Sequence, residues 1–289
     1  MGIVPSRRAV LLLAVGAATA GCAADPASAP SSSATVVPPR SATPSPSVQA
    51  LPAVTRWQPD GNDISPAAKV AAVRRIERTG NTASSALQVI EAQYGGILTD
   101  SASVLVVTRS WTRQGSRIMT AGRTYDVRLT RSGRTWRVTQ INPSRPGRAT
   151  PSPSGTARKV LVSDRIDLPP AARRDVASGQ VHDSVLHAML RVASAYQVGI
   201  SVIRSGHPLY VFGTDRRSDH PQGRAFDTWR INGHAVVDAR TSKALVTDYM
   251  HEVTDAGSYN TGGPYLLGSA PQWFSDNTHH DHVHAGFAD

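Results

Sequence analysis

Three side chains of the kind that bind metal ions place the strongest constraint on how this chain can fold. His220 and Asp227 lie seven positions apart, and His284 follows near the end of the chain. Two imidazoles and one carboxylate form the minimal ligand set of a catalytic zinc site, in which a fourth position stays open for water. A fold that uses this set must bring His284 back beside the earlier pair. All ten histidines lie between His182 and His284, so this chemistry belongs to the C-terminal part.

The N-terminal residues predict export. Two arginines precede an apolar run over residues 9–20, and small residues lead into Cys22, the only cysteine. This order is typical of an export signal, and the run is too short to span a bilayer comfortably. It resembles a bacterial lipoprotein signal, which implies removal of residues 1–21 and lipidation of Cys22. An ordinary cleaved signal peptide, or an uncleaved anchor, is the alternative.

Residues 22–50 predict an extended tether. They are mostly Ala, Pro, Ser, Thr and Val, with Asp25 and Arg40 the only charges. Such a composition cannot bury enough apolar surface to fold, and its prolines favour an extended chain. Export and tether together argue against nucleic acid as a partner. One cysteine permits no internal disulfide, so the folded part depends on packing alone.

Residues 51–148 predict a small α+β domain. Apolar spacing predicts a helix after Ser65, and a second helix over 83–94 that Gly95-Gly96 would stop. Val-rich or alternating patterns then predict three strands, at 103–109, 124–129 and 135–141.

This order of elements resembles, in pattern only, the cystatin-like fold of nuclear-transport-factor-like domains. The segment 51–150 carries fifteen Lys and Arg against six Asp and Glu, which accounts for most of the net charge of +10. It has no histidine or cysteine, so catalysis is not expected there. Seven arginines could bind an anionic wall polymer or a partner protein, or could form a solvated face that keeps the domain soluble. They are Arg113, Arg117, Arg123, Arg128, Arg131, Arg134 and Arg137.

After a linker at 149–156, residues 157–289 predict a second α+β domain with a small antiparallel sheet and flanking helices. Asn232-Gly233 is the strongest hairpin signal in the chain. Helices are predicted over 183–197 and 242–255, and strands over 198–203, 209–212, 224–231, 234–237, 265–267 and 282–287.

The stretch Ser218-x-His220-x-x-Gly223-x-Ala225-x-Asp227 resembles the first zinc motif of the zinc D-alanyl-D-alanine carboxypeptidases and dipeptidases at every fixed position. Gly223 permits a tight turn between the ligands, and Ala225 leaves room on the strand face that Asp227 shares. Ser218 could hold a ligand or the loop through a hydrogen bond.

His282-Val-His284 resembles the terminal His-x-His of the wider superfamily, which includes L-alanyl-D-glutamate endopeptidases and the zinc domain of hedgehog signalling proteins. The resemblance implies that His220, Asp227 and His284 bind Zn²⁺. It also implies hydrolysis of peptide bonds in peptidoglycan stem peptides, of the D-alanyl-D-alanine carboxypeptidase type first and of the endopeptidase type second.

The resemblance suggests two candidates for the general base. Carboxypeptidases of this family have Glu three residues before the last histidine ligand, and Asp281 stands there in this chain. We therefore predict that Asp281 is the base and proton shuttle. His282 is the runner-up, because the first histidine of the His-x-His motif lies near the metal in the superfamily.

The oxyanion-stabilising arginine is a departure from the family. The family has a Ser-Gly-aromatic-Arg turn, whereas this chain reads Arg204-Ser-Gly-His. Arg204 could serve from a displaced position, or Arg216, Arg217 or Arg224 could replace it.

These features together predict a lipid-anchored zinc peptidase on the outer face of the cytoplasmic membrane of a Gram-positive-type bacterium. One alternative is a non-catalytic zinc module of the envelope, which a fourth protein ligand such as His279 or His282 would favour. In another alternative, the arginine-rich residues 51–148 are the main functional unit.

Overall fold

The computed structural model describes residues 49–288, all within one compact unit. The predicted signal peptide, Cys22 and nearly all of the tether lie outside the described residues. Helices accompany one antiparallel and one mixed sheet, so the α+β class is confirmed. Within 49–288, no helix has the length and apolar character needed to cross a membrane.

A helix packed on an antiparallel sheet forms the first part of the described chain. The helix predicted after Ser65 is confirmed, and its apolar side lies against the sheet. The sheet order is β1-β2-β4-β5, with β3 paired to β2. The elements are α1 (Pro66–Gly80), β1 (Ser85–Ile97), β2 (Ser101–Gln114), β3 (Arg117–Ala121), β4 (Thr124–Ser132) and β5 (Thr135–Pro143).

A mixed sheet with four helices forms the second part. Its order is β11-β10-β12-β8-β7-β6, with β9 paired to β8. The helices are α2 (Gly155–Val162), α3 (Pro170–Ala177), α4 (Asp183–Ala195) and α5 (Lys243–Asp255). The strands are β6 (Ile166–Asp167), β7 (Val198–Val202), β8 (Ala225–Ile231), β9 (His234–Ala235), β10 (Asn260–Gly262), β11 (Trp273–Phe274) and β12 (Val283–Gly286).

The first sheet is buried on both faces. The helix α1 packs against one face of the sheet. On the opposite face, Ile90, Leu105 and Val107 pack with Val202 of β7. The helix predicted over 83–94 is wrong, because those residues belong largely to β1. β1 is buried on both faces and has two register shifts, between Val89 and Glu91 and between Tyr94 and Gly96, so the period of two that identifies a half-buried strand is lost.

Local signals were more reliable in the second part. The hairpin at Asn232-Gly233 is confirmed, with φ of 49° and 84° at the two turn residues. The helix predicted from Ser242 is also confirmed, and the Ser242 hydroxyl accepts a hydrogen bond from the Leu245 amide. The strands predicted at 209–212 and 265–267 are wrong, since the first forms only an isolated bridge and the second is irregular.

Glu91 on β1 makes stability depend on pH. Burial raises the pKa of its carboxyl from 4.5 to about 7, against an opposing effect of Lys69. The folded state binds the proton of Glu91 more tightly than the unfolded chain does, and this binding contributes to the free energy of unfolding. The contribution is complete below about pH 4.5 and is lost as pH rises through 7.

Glu91→Gln is therefore expected to increase the free energy of unfolding by about 1–3 kcal/mol at pH 8 and to leave it nearly unchanged at pH 4.5. Urea denaturation of both proteins at the two pH values measures the difference. An equal gain at both values would contradict the assignment.

Candidate metal centre

The second sheet brings the three predicted ligands together. In the antiparallel register of β8 and β12, His284 lies directly opposite Asp227, and His220 lies in the 3₁₀ turn just before β8. Nε2 of His220 is 3.1 Å from Oδ1 of Asp227 and 3.1 Å from Nδ1 of His284. Nδ1 of His284 is 3.0 Å from the same Oδ1. All three side chains are buried, so three potential donor atoms face one another inside the protein.

The turn before β8 requires glycine at position 223. Gly223 has φ of 76°, and a Cβ at this position would collide with the carbonyl oxygen of Gln180. The predicted tight turn between the ligands is therefore present, and it is the backbone of 220–223 that brings His220 back towards Asp227.

The protonation of the ligand atoms favours a cation between them. Nδ1 of His220 lies 2.8 Å from the carbonyl oxygen of Ile203, which can only accept, so a neutral His220 carries its lone pair on Nε2. That lone pair faces a carboxylate oxygen of Asp227 at 3.1 Å. Two acceptors repel at this distance unless a positive charge lies between them. Two imidazoles and a carboxylate suit Zn²⁺, so the residues fit the predicted metal.

His207 is another nearby histidine, which sequence reasoning did not assign to the site. Its ring stacks on His220 with centroids 4.2 Å apart, and one ligand atom of each of His207, His220 and Asp227 lies within 4.8 Å of the others. Its Nδ1 contacts the hydroxyl of Ser218 at 3.2 Å. That hydroxyl also accepts from the His220 amide at 3.4 Å, so Ser218 links the loop of His207 to the ligand turn.

His282 lies beside the three ligands. Its Nε2 is 3.8 Å from Oδ1 of Asp227, and its Nδ1 is 2.6 Å from Oδ1 of Asp281. Burial lowers the pKa of His282, but the carboxylates of Asp227 and Asp281 outweigh burial and raise the pKa above its ordinary value. The His282 ring thus connects the ligand cluster to Asp281.

Asp281 lies behind His282. One of its oxygens contacts His282, and the other lies 2.7 Å from Nζ of Lys69 and accepts from the Tyr94 amide at 3.1 Å. The side chain is fully buried. Burial raises the pKa of Asp281, but the effect of Lys69 and His282 is larger and opposite. The pKa therefore lies well below its ordinary value, and the carboxyl stays ionised. Lys69 and Tyr94 belong to α1 and β1, which sequence reasoning did not connect with the site.

The four candidate arginines lie in different places. Arg216 lines the cleft that contains His220, His282 and His284. Arg204 instead lines a separate depression of about 250 Å³. Arg224 pairs with Asp219, and Arg217 takes part in an isolated bridge with Tyr210.

The cleft itself has a volume of about 510 Å³ and is built from both parts of the chain. The end of β1, from Tyr94, and Leu98 just after it supply one wall, and the loop 276–279 supplies another. Phe212 and Phe274 add apolar surface. His279 also lines the cleft, where Asp276 holds its Nδ1 at 2.7 Å.

Comparisons of this chain with protein-family models, curated proteins and solved structures found no match. Its functional interpretation therefore depends on the residues and the geometry described above.

Proposed function

We propose that this protein is a zinc peptidase that hydrolyses peptide bonds in peptidoglycan stem peptides. The observation that carries the proposal is the convergence of His220, Asp227 and His284, with His282 beside them, next to a cleft of about 510 Å³ that the three histidines line. Such a cleft is large enough for a short peptide. The match of residues 218–227 to the carboxypeptidase motif supports the choice of substrate.

The proposed chemistry divides between the metal and the protein. When bound, zinc would polarise the scissile carbonyl and lower the pKa of a coordinated water. His282 accepts the proton of the attacking water at Nε2 and delivers it to the leaving amine. Asp281 holds His282 through Nδ1, which keeps Nε2 directed at the cluster. Asp281, the first choice from sequence, thus becomes a positioning residue in this proposal.

Arg216 is the proposed contact for the substrate's negative charge. Of the four candidate arginines, Arg216 is the one that lines the cleft. A guanidinium binds a carboxylate through two parallel hydrogen bonds. A free carboxylate at the end of the substrate fits a D-alanyl-D-alanine carboxypeptidase better than an endopeptidase.

We place this activity in the cell envelope, with a lipid on Cys22 as the membrane anchor. The composition of residues 1–50 supports this proposal. We also propose that residues 157–289 have the zinc-peptidase fold and that residues 51–148 have a cystatin-like fold.

A non-catalytic zinc module is the second candidate function. The observation that favours it is His207, whose ring stacks on His220 and whose ligand atom lies within 4.8 Å of the partners. A fourth protein ligand would fill the position that catalysis needs for water.

Cleavage assays distinguish the two candidates. The purified protein, loaded with zinc, is incubated with a panel of peptidoglycan fragments, and the products are read by mass spectrometry beside His220→Ala. If the unmodified protein removes one D-alanine from a fragment and His220→Ala does not, the carboxypeptidase is supported. A cut inside the peptide indicates an endopeptidase. No cleavage by protein that holds one zinc ion would favour the binding module.

A further inference from the structure

Gln93 reaches the metal centre from the other part of the chain. It lies on β1 and is fully buried. Its Nε2 donates to Oδ2 of Asp227 at 2.7 Å, across 134 positions of sequence. This contact joins a side chain of the predicted domain 51–148 to a proposed zinc ligand.

The orientation of the Gln93 amide is fixed by its neighbours. The hydroxyl of Ser201 donates to Oε1 of Gln93 and also contacts the carbonyl oxygen of Asp227 at 3.2 Å. A flipped amide would place its oxygen against the Asp227 carboxylate. The amide therefore donates to Oδ2 and leaves Oδ1, the oxygen that faces His220 and His284, for a metal ion.

Lys69 makes a second buried contact from the same part of the chain. It lies on α1, is fully buried, and pairs with Asp63 and Asp281. Asp281 in turn holds His282. Two groups of the site, the ligand Asp227 and the proposed base His282, are thus supported from residues 51–148 by side chains with no access to solvent.

We infer that residues 51–148 form a structural half of the metal centre, with Gln93 as the positioning residue of Asp227. This inference rests on the proposed function, since it takes Asp227 to be a zinc ligand. A group that hydrogen-bonds the free oxygen of a carboxylate ligand fixes its orientation, and loss of such a group typically weakens metal binding 10- to 100-fold. The segment 51–148 would then be needed for zinc binding itself.

Gln93→Met tests the inference, because methionine has a similar shape and cannot donate to Asp227. Gln88→Met is the matched control: Gln88 is on the same strand, but its amide contacts the backbone of Thr55 at the surface. Zinc affinity of each purified protein is measured by competition with a chromogenic chelator. We expect Kd to rise about 10- to 100-fold in Gln93→Met and to stay unchanged in Gln88→Met.

Thermal unfolding of the metal-free proteins separates positioning from folding. An unchanged zinc Kd in a folded Gln93→Met protein, even one of lower stability, would overturn the inference. If Gln93→Met does not fold, Ser201→Ala removes the hydroxyl that fixes the amide, and a several-fold rise in Kd is then required. Absence of zinc binding by the unmodified protein would instead refute the proposed function, so the two failures are distinguishable.

Discussion

His282→Ala is expected to lower kcat by about 100- to 10,000-fold while the protein still holds one zinc ion. The reason is geometric. Nε2 of His282 lies 3.8 Å from Oδ1 of Asp227, whereas the three proposed ligand atoms lie 3.0–3.1 Å from one another. His282 thus stands next to the cluster, where it can exchange a proton with water, and alanine removes the proton acceptor that Asp281 orients.

The comparison needs kcat and zinc content from the same samples. His234→Ala is a suitable control, since His234 is exposed on β9. A fall in kcat of less than about tenfold would remove His282 from the role of base. Loss of zinc along with activity would make His282 a ligand, and the site would then resemble a structural one.

Lys69→Met is expected to lower the free energy of unfolding by about 3–5 kcal/mol. Lys69 lies between the buried carboxylates of Asp63 and Asp281 and is itself fully buried. Without the ammonium group, two neighbouring negative charges stay inside the protein unneutralised. Removing one partner of a buried ion pair is strongly destabilising, because the other partner stays buried and charged. Replacing both partners by apolar residues is often nearly neutral.

Chemical denaturation of Lys69→Met beside Lys159→Met measures this cost. Lys159 is exposed on α2, so its replacement should change stability by less than about 0.5 kcal/mol. Adding Asp63→Asn and Asp281→Asn to Lys69→Met should recover part of the loss, because the uncompensated charges are gone. A cost below about 1 kcal/mol for Lys69→Met would contradict the buried network.

Residues close in sequence allowed the most accurate predictions. The ligand turn of 220–227, the hairpin at Asn232-Gly233 and the helix that Ser242 caps each depend on a few adjacent residues. His284 was assigned through the resemblance, and the pairing of β12 with β8 places it opposite Asp227.

The buried supports of the site were not predictable in the same way. Gln93 contacts Asp227 across 134 positions, and the Tyr94 amide contacts Asp281 across 187. No spacing rule connects such residues, and a lysine on a helix is ordinarily taken as exposed. The wrong prediction of a helix over 83–94 also hid these contacts. In the structure Gln93 and Tyr94 lie on β1, an edge strand, and reach the metal centre from there. Sequence reasoning therefore separated two parts that the fold packs together.

A crystal structure of the zinc-loaded protein, with the metal located by its anomalous scattering, tests the proposed metal centre. We expect one ion bound by Nε2 of His220, Oδ1 of Asp227 and Nδ1 of His284, with a fourth position filled by water at the cleft. His282 should lie near that water without binding the ion. A fourth protein ligand, from His207 or His282, would contradict a catalytic site, and an ion bound elsewhere would contradict the proposed metal centre.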